Sequence, residues 1–456
     1  MTFNPHVFRE YDIRGVADSD FPDVFVGDLG RAIGTFLARC GAGRIALGRD
    51  CRLHGPRIHD ALLEGLLETG LTVLDVGVVP TPLVYFSTFE LDLDGAVQIT
   101  GSHNPPQDNG FKICRGKQTI FGEDVQAIRR LCETRDFLRT SGGRHEEVDI
   151  ASRYLANVAS NVRVGPRRFG VVVDAGNGAG GPVGAAALEA LGLPVTRLFC
   201  EMDGSFPNHH PDPTMPENVE TLRREVLARG AEVGIAYDGD ADRLGVIDGR
   251  GRTLYGDQIL MLFARALLAE QPGAMVVSEV KCSQALFDDI AARGGRPLMW
   301  KVGHSLIKAK MKEEKALLGG EMSGHFFFAH RWFGFDDAIY ASLRLCELLS
   351  RGEKTLAELR DELPDLATTP EIRVDCPDGA KFEVVRRVAE RLRGRYPIVD
   401  VDGVRVKVDG GWGLVRASNT QPVLVLRFEA DSEARLAEIR AMVEGEIVAA
   451  RREVGV

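Results

Sequence analysis

No apolar run in this chain approaches the ~20 residues of a helical membrane span. The N-terminal stretch MTFNPHVFREYDIRG carries charges where a secretory signal would be apolar. The eight cysteines are scattered, and no two form a CxxC pair. That leaves neither a zinc spacing nor a disulfide framework, so reduced thiols and a cytoplasmic setting are expected. A basic excess is also missing. The chain has 56 Lys and Arg against 66 Asp and Glu, a formal net charge of −10. Broad binding to nucleic acid or an acidic membrane would need an extended basic face. A small anion can still bind where a few Arg and Lys converge. Low-complexity segments are absent as well.

What is present is ordinary in bulk. Hydrophobic residues make up 44% and charged residues 27% of 456 positions, as in globular proteins generally. That length exceeds one core and suggests three or four domains at ~100–200 residues each.

Three times a short β-rich segment turns into a helical pattern and then another strand. RIALGRD precedes GPRIHDALLEGLLETG, FGVVVDAGNGAGG precedes VGAAALEALG, and AMVVSEVKCS precedes QALFDDIAARGG. Such alternation predicts α/β units, and three similar starts suggest three related domains. The tail differs. One helix (KFEVVRRVAERLRG), clustered strands and a final helix from Ser432 predict a separate α+β domain. Boundaries are expected near 150, 251 and 365. Residues 203–219 form a Pro-rich connector.

Six stretches could carry chemistry. In YDGDADR, Asp238, Asp240 and Asp242 alternate. Three such carboxylates repel unless they are solvated or share a hard cation such as Mg²⁺ or Ca²⁺. An EF-hand fails, because Arg243 stands where the loop needs Gly and Gly249 where it needs Glu. In VQITGSHNPPQDNGFKI, Pro105 and Pro106 stop the strand and place Ser102 on a rigid loop, with DNG (108–110) as a turn signal. A serine needs activation to be a nucleophile. No GxSxG elbow is present, and adjacent extended side chains would point His103 away. A plain turn serine and a nucleophile both remain open on this stretch.

GEMSGH (320–325) follows a helix expected over 305–318. If extended, it projects Glu321 and Ser323 to one side, where they suit sugar hydroxyls. RASNTQP (416–422), between two strands, offers an Arg fork and short polar groups as a phosphate cradle or a plain hairpin loop. Ser305 is expected to cap the helix after KVGHS, and His304 beside it could bind phosphate or move a proton. His209 and His210 lack further ligand spacing and read as loop residues. Finally, Gly176, Gly178 and Gly181 match the dinucleotide GxGxxG, with Glu201 or Asp203 as the ribose acid. That raises an NAD-dependent oxidoreductase as the competing reading. A tight turn packed between domains is favoured over it.

Taken together, TGSHNPPQDNGFKI, DGDADR, GEMSGH and RASNTQP, in this order and one per domain, resemble the four signature loops of the α-D-phosphohexomutases. FREYDIRG and PNHHPDPTMPEN are similar to that family too. Its bacterial phosphomannomutase/phosphoglucomutase branch is the nearest in pattern. The resemblance implies an α/β protein of four domains around a central cleft, three related with mixed sheets and a C-terminal α+β one. The corresponding ranges are 1–150, 151–251, 252–364 and 365–456. It implies an isomerase-class phosphotransferase that interconverts hexose 1- and 6-phosphates through a phosphoserine and a hexose 1,6-bisphosphate (glucose 1,6-bisphosphate as activator).

Carried over by position, Ser102 would be the phosphoserine. Asp238, Asp240 and Asp242 would hold Mg²⁺ with an oxygen on Ser102. Lys112 and His325 are candidates for proton transfer, and Arg243 would offset charge. Glu321 and Ser323 would grip the sugar. Arg416, Ser418, Asn419 and Thr420 would hold the phosphate that is not reacting. Tyr11, Arg14, Lys281 and His304 match further substrate positions. Partners are expected to be small phosphosugars only, for a monomer or homodimer. A phosphoglucosamine mutase is the alternative within the family. Gly101 and Met322 argue against it, since that branch tends to TASHNP and GEQSGH.

Overall fold

The computed structural model describes residues 3–418 and 421–456. Three of its four sheets share one strand order. In the first, Arg44–Arg49 pairs in parallel with Thr72–Val78 on one side and Gly95–Ile99 on the other, and Asp108–Arg115 adds antiparallel to the latter. In the second, Val171–Asp174 takes the middle place between Val195–Leu198 and Val233–Tyr237, and Leu244–Asp248 closes it antiparallel. In the third, Met275–Glu279 lies between Arg296–Trp300 and Leu318–Gly320, with Phe326–Phe328 antiparallel beyond. Each first crossover carries a helix: Gly55–Leu67, Gly181–Ala190 and Gln284–Ala292. The sheets are mixed, as the resemblance implies.

This repetition places the chemistry. In every one of the three units, the third parallel strand runs into a loop and returns antiparallel. Those loops hold Ser102, the aspartates and GEMSGH. The strands feeding the first two, Gly95–Ile99 and Val233–Tyr237, are buried at every position. Strands covered on both faces cannot flex, so the loops start from fixed points.

The first three units share a contiguous core that runs from Leu74 through Val173 and Ile235 to Val276 and Leu318. The fourth has an antiparallel sheet with its own core around Val384, Val406, Leu426 and Ile439. Its helices are Asp378–Leu392 and Glu433–Val454, the latter starting where a helix from Ser432 was expected, with Ser432 as its N-cap. Its hairpin, Gly411–Ala417 paired with Val423–Ala430, carries the RASNTQP loop. The fourth unit docks on the third through Arg405. Its guanidinium lies 3.7 Å over the Trp412 ring and donates to the carbonyls of Val280 (2.6 Å) and Cys282 (2.7 Å).

Three local expectations are corrected. DNG is not a turn: Asp108, Asn109 and Gly110 open a strand paired with Val16, Gly15 and Arg14. The N-terminal strand Ile13–Val16 supplies the partner that lets them extend. The helix expected over 305–318 runs His304–Glu314, and its N-cap is Gly303, at φ +132°, not Ser305. The chain past Lys315 turns into the strand Leu318–Gly320.

Candidate active site

Ser102 is 2% exposed and sits at φ +49°, left-handed for a serine. Its N–H donates to Thr100 Oγ1 at 2.8 Å, and its Oγ donates to Asp238 Oδ2 at 2.8 Å. The left-handed backbone corrects the expectation for His103. Neighbours on an extended chain diverge, but here His103 Nδ1 lies 3.2 Å from Ser102 Oγ. Burial, with Arg243 and Arg14 nearby, holds the His103 imidazole well below its usual pKa, so it is neutral.

The aspartate loop meets the serine loop directly. Asp238, Asp240 and Asp242 are all fully buried and present carboxylate oxygens within 4.8 Å of one another. Asp238 Oδ1 accepts the N–H groups of Asp242 (3.0 Å) and Arg243 (3.1 Å). Burial and the charges of Asp240 and Asp242 push the Asp238 carboxyl well up. Asp240 Oδ2 accepts from Lys112 Nζ (2.7 Å) and from Thr81 Oγ1 (2.5 Å). Lys112 also bonds Asp242. Burial would discharge Lys112, yet Asp240 and Asp242 keep it charged.

Lys112 touches Asp240 and Asp242, and His325 adds a second positive charge beside Asp242, while Asp238 is touched by neither and its carboxyl is pushed up by burial and by the other two. Among the described residues, Asp240 Oδ1 has no hydrogen-bond partner. Unpaired charge in a site without water access is costly. An all-oxygen set with an open ligand atom fits a hard divalent cation that keeps positions for phosphate and water.

The third loop closes on the same cluster. His325 Nε2 lies 3.2 Å from Asp242 Oδ1, and Nδ1 lies 3.1 Å from Glu321 Oε2 and 3.0 Å from Ser323 Oγ. Burial lowers the affinity of His325 for its proton, but Asp242 and Glu321 outweigh it and push the pKa up to about 9. Arg243 Nε approaches His325 at 3.4 Å. Glu321 and Ser323 converge as expected, though through a turn with Gly324 at φ +93°, not an extended segment. His304 stacks on His325 with ring centroids 5.5 Å apart and pairs with Asp336 through Nδ1 at 3.2 Å. Burial and Lys308 lower its pKa. One imidazole is thus neutral and the next charged.

The remaining expected positions have these partners. Arg14 donates to Asn104 Oδ1 in the serine loop at 2.8 Å and to Asp12 at 2.6 Å. Tyr11 Oη donates to the Val302 carbonyl at 2.9 Å, just before His304. The Val302 N–H donates to Asp402 at 2.9 Å, and Arg416 pairs with the same carboxylate at 3.2 Å. Lys281 Nζ lies 3.3 Å from Glu371. Ser418 Oγ accepts the N–H of Gln421 at 3.2 Å. Asn419 and Thr420 lie outside the described residues.

Sequence reading missed Thr81, which holds Asp240, and Asp336, which pairs with His304 and with Lys308 (2.6 Å). Thr81 had a signal: it opens the helix Thr81–Glu90 between Pro80 and Pro82.

The glycine motif has a different use. A Cβ at Gly178 would lie 2.7 Å from the Gly239 carbonyl, one at Gly180 would lie 2.5 Å from Ala241 Cβ, and one at Gly181 would lie 2.2 Å from the Cys200 carbonyl. Ala179 N–H donates to Gly239 O at 2.9 Å. The glycines let this turn press against the aspartate loop. Asp203 Oδ1 accepts from Ser205 Oγ at 2.7 Å. His209 pairs with Asp174 at 3.1 Å, a loop contact as expected.

Comparison with known proteins agrees with this geometry. Descriptions of phosphoglucomutase/phosphomannomutase α/β/α domains I, II and III match residues 5–139, 152–251 and 255–366, and that of the C-terminal domain matches 371–446. The chain is 46% identical to the phosphomannomutase/phosphoglucomutase of Pseudomonas putida over 98% of its own length and 96% of that protein. It is 44% identical to the phosphoglucomutase of Neisseria gonorrhoeae over 95% of each. A crystal structure of a family protein from Burkholderia thailandensis superposes with TM-score 0.93 at 40% identity, covering 99% of this chain and 98% of that one. With four domain matches in order and the serine, aspartate and sugar loops gathered at one buried cluster, the chain belongs to the phosphoglucomutase/phosphomannomutase family of α-D-phosphohexomutases.

Proposed function

We propose that this phosphomutase interconverts the 1- and 6-phosphates of mannose and glucose, with Ser102 as the group that donates and recovers the phosphoryl. The observation that carries the reading is the contact of Ser102 Oγ with Asp238 inside the buried carboxylate cluster. A free hydroxyl of the hexose monophosphate attacks the phosphoryl on Ser102, the Oγ–P bond breaks, and a 1,6-bisphosphate forms. Ser102 Oγ takes a proton from Lys112 or His325, the proposed proton-transfer groups and both charged at rest, and the hydroxyl's proton restores that group. The bisphosphate then turns, and Ser102 takes the other phosphoryl back.

Phosphoryl transfer asks for alignment and charge neutralisation more than covalent work by the protein. Asp238, Asp240 and Asp242, with an oxygen on phosphorylated Ser102, would hold Mg²⁺, which supplies charge neutralisation. Lys112 and Arg243 add to it from the protein. Glu321 and Ser323 orient the sugar. Arg416, Ser418, Asn419 and Thr420, with Tyr11, Arg14, Lys281 and His304, are assigned to the distal phosphate and the sugar's far side. Closing the fourth unit over the sugar excludes water that would hydrolyse the phosphoserine.

The proposed units are 1–150, 151–251, 252–364 and 365–456. All eight cysteines are free thiols, which supports a reducing, cytoplasmic setting. Gly101 and Met322 support the mannose/glucose branch over the glucosamine branch, because TGSHNP and GEMSGH resemble the former. A coupled assay with the 1-phosphates of mannose, glucose and glucosamine, started with a bisphosphate, tests the reading. The first two should turn over well and the third poorly. Preference for the glucosamine ester would overturn the substrate assignment.

A further inference from the structure

Behind the Ser102 loop lies a side chain with no place in the substrate set. Arg52 is fully buried. Its Nη1 donates to the carbonyls of Pro105 (2.5 Å) and Asp108 (2.8 Å), and its Nη2 to those of Ser102 (2.8 Å) and Asn104 (2.6 Å). We infer that Arg52 is a positioning residue for phosphoryl transfer: its guanidinium fixes the backbone of the serine loop and so aims Ser102 at the aspartate cluster. This rests on the reading of Ser102 as the phosphoryl carrier.

The loop holds itself only in part: Asn104 N–H donates to the Gly101 carbonyl (2.9 Å) and Asp108 N–H to that of Pro105 (3.0 Å), and neither bond reaches the carbonyls of Ser102 and Asn104. Pro105 and Pro106 contribute no N–H, and between the strands ending at Ile99 and starting at Asp108 the backbone has no ladder. Buried carbonyls still need donors. One planar guanidinium supplies four of them at once. A lysine offers three donors from a single point and cannot reproduce that fan.

Asp50 completes the device. Its Oδ2 lies 3.2 Å from Arg52 Nε, and it accepts Thr100 Oγ1 (2.7 Å) and the Gly101 N–H (3.2 Å). Asp50 therefore holds the donors that enter the turn, and Arg52 holds the acceptors that leave it. Between them Ser102 is kept at φ +49°, a conformation that an unrestrained serine disfavours. Arg52 has nowhere else to go. The Phe206 ring covers it with 5.2 Å to the ring centroid, and Gly204 passes so close that a Cβ there would lie 2.7 Å from Arg52 Cα. Gly101 must lack a side chain because the guanidinium occupies that space.

The test uses the full chain with Arg52→Lys and Gly101→Ala. The second keeps the charge but displaces the guanidinium. Steady-state kcat and KM are measured with mannose 1-phosphate, thermal melts follow folding, and a single turnover follows phosphoryl transfer to sugar against loss to water. We expect kcat to fall roughly 100-fold in each, the scale of an ångström of misplacement, with KM nearly unchanged. Transfer to water should gain on transfer to sugar. Wild-type kcat in Arg52→Lys would overturn the inference, as would a loss explained wholly by a smaller folded fraction. If Arg52→Lys does not fold, Gly101→Ala decides alone by the same two readouts. Turnover by Ser102→Ala would instead sink the underlying reading of Ser102 and leave the Arg52 geometry aside.

Discussion

Ser102 Oγ and Asp238 Oδ2 meet at 2.8 Å across 136 residues of chain. The contact joins equivalent loops of two sheets with the same strand order. A group carried on Ser102 therefore starts life at the carboxylates that would hold its counter-charge.

Replacing Ser102 by Ala should remove mutase turnover by roughly 1,000-fold or more while leaving the melt close to wild type, since a carrier cannot be bypassed by binding alone. A coupled assay beside a thermal melt checks both halves. Near-normal interconversion of mannose phosphates by the variant would exclude Ser102 from the chemistry.

Removing divalent metal should stop turnover, and adding Mg²⁺ should restore it. Asp240→Asn keeps the shape of the cluster but weakens its charge, so its Mg²⁺ requirement should move to concentrations at least about tenfold higher, the scale of one lost charge interaction of ~1.4 kcal/mol. Full activity in excess EDTA would take the aspartates out of the reaction.

A pH effect on stability is expected at His59 on the helix Gly55–Leu67. His59 Nε2 pairs with Asp75 at 2.9 Å and Nδ1 with Asp60 at 3.1 Å, and His145 approaches the same Asp75 at 3.4 Å. Burial works against the His59 charge, but Asp75 and Asp60 raise its pKa above the usual 6.5. The folded state thus binds this proton more tightly than the unfolded one. Its contribution is full below pH ~6.5 and fades as pH rises through the folded pKa. Melts of wild type and His59→Gln should differ most at the acid side of that window and converge above it. A gap that widens with rising pH would contradict this.

Gly178→Ala should cost about 1–3 kcal/mol by overpacking against the Gly239 carbonyl and should lower activity by shifting the aspartate loop. NADH fluorescence should show no binding to the wild type. Binding of NADH, abolished by the same substitution, would revive the dinucleotide reading.

The loops around Ser102, residues 238–242 and GEMSGH were legible as a group because each packs its polar residues into a few adjacent positions punctuated by Pro or Gly. The three related sheets were legible in the repeated strand-to-helix starts. What escaped were contacts made by folding alone. Thr81 reaches Asp240, and Arg52 reaches the serine loop, only because their strands lie beside each other in one sheet or face another across an interface. His103 was set aside on the geometry of an extended chain, and the left-handed Ser102 removed that premise. GxGxxG allowed two readings, of which the packed turn was favoured, because glycine permits close approach equally to a pyrophosphate and to another loop; here the neighbour is Gly239.

The most direct test of the central claim is to load the protein with glucose 1,6-bisphosphate, digest it and locate the phosphoryl group by mass spectrometry, before and after adding mannose 1-phosphate. The account predicts one phosphorylated peptide, modified at Ser102, whose phosphoryl group passes to the sugar on addition. Turnover with Ser102 unmodified throughout, or with the phosphoryl group on another residue, would contradict it.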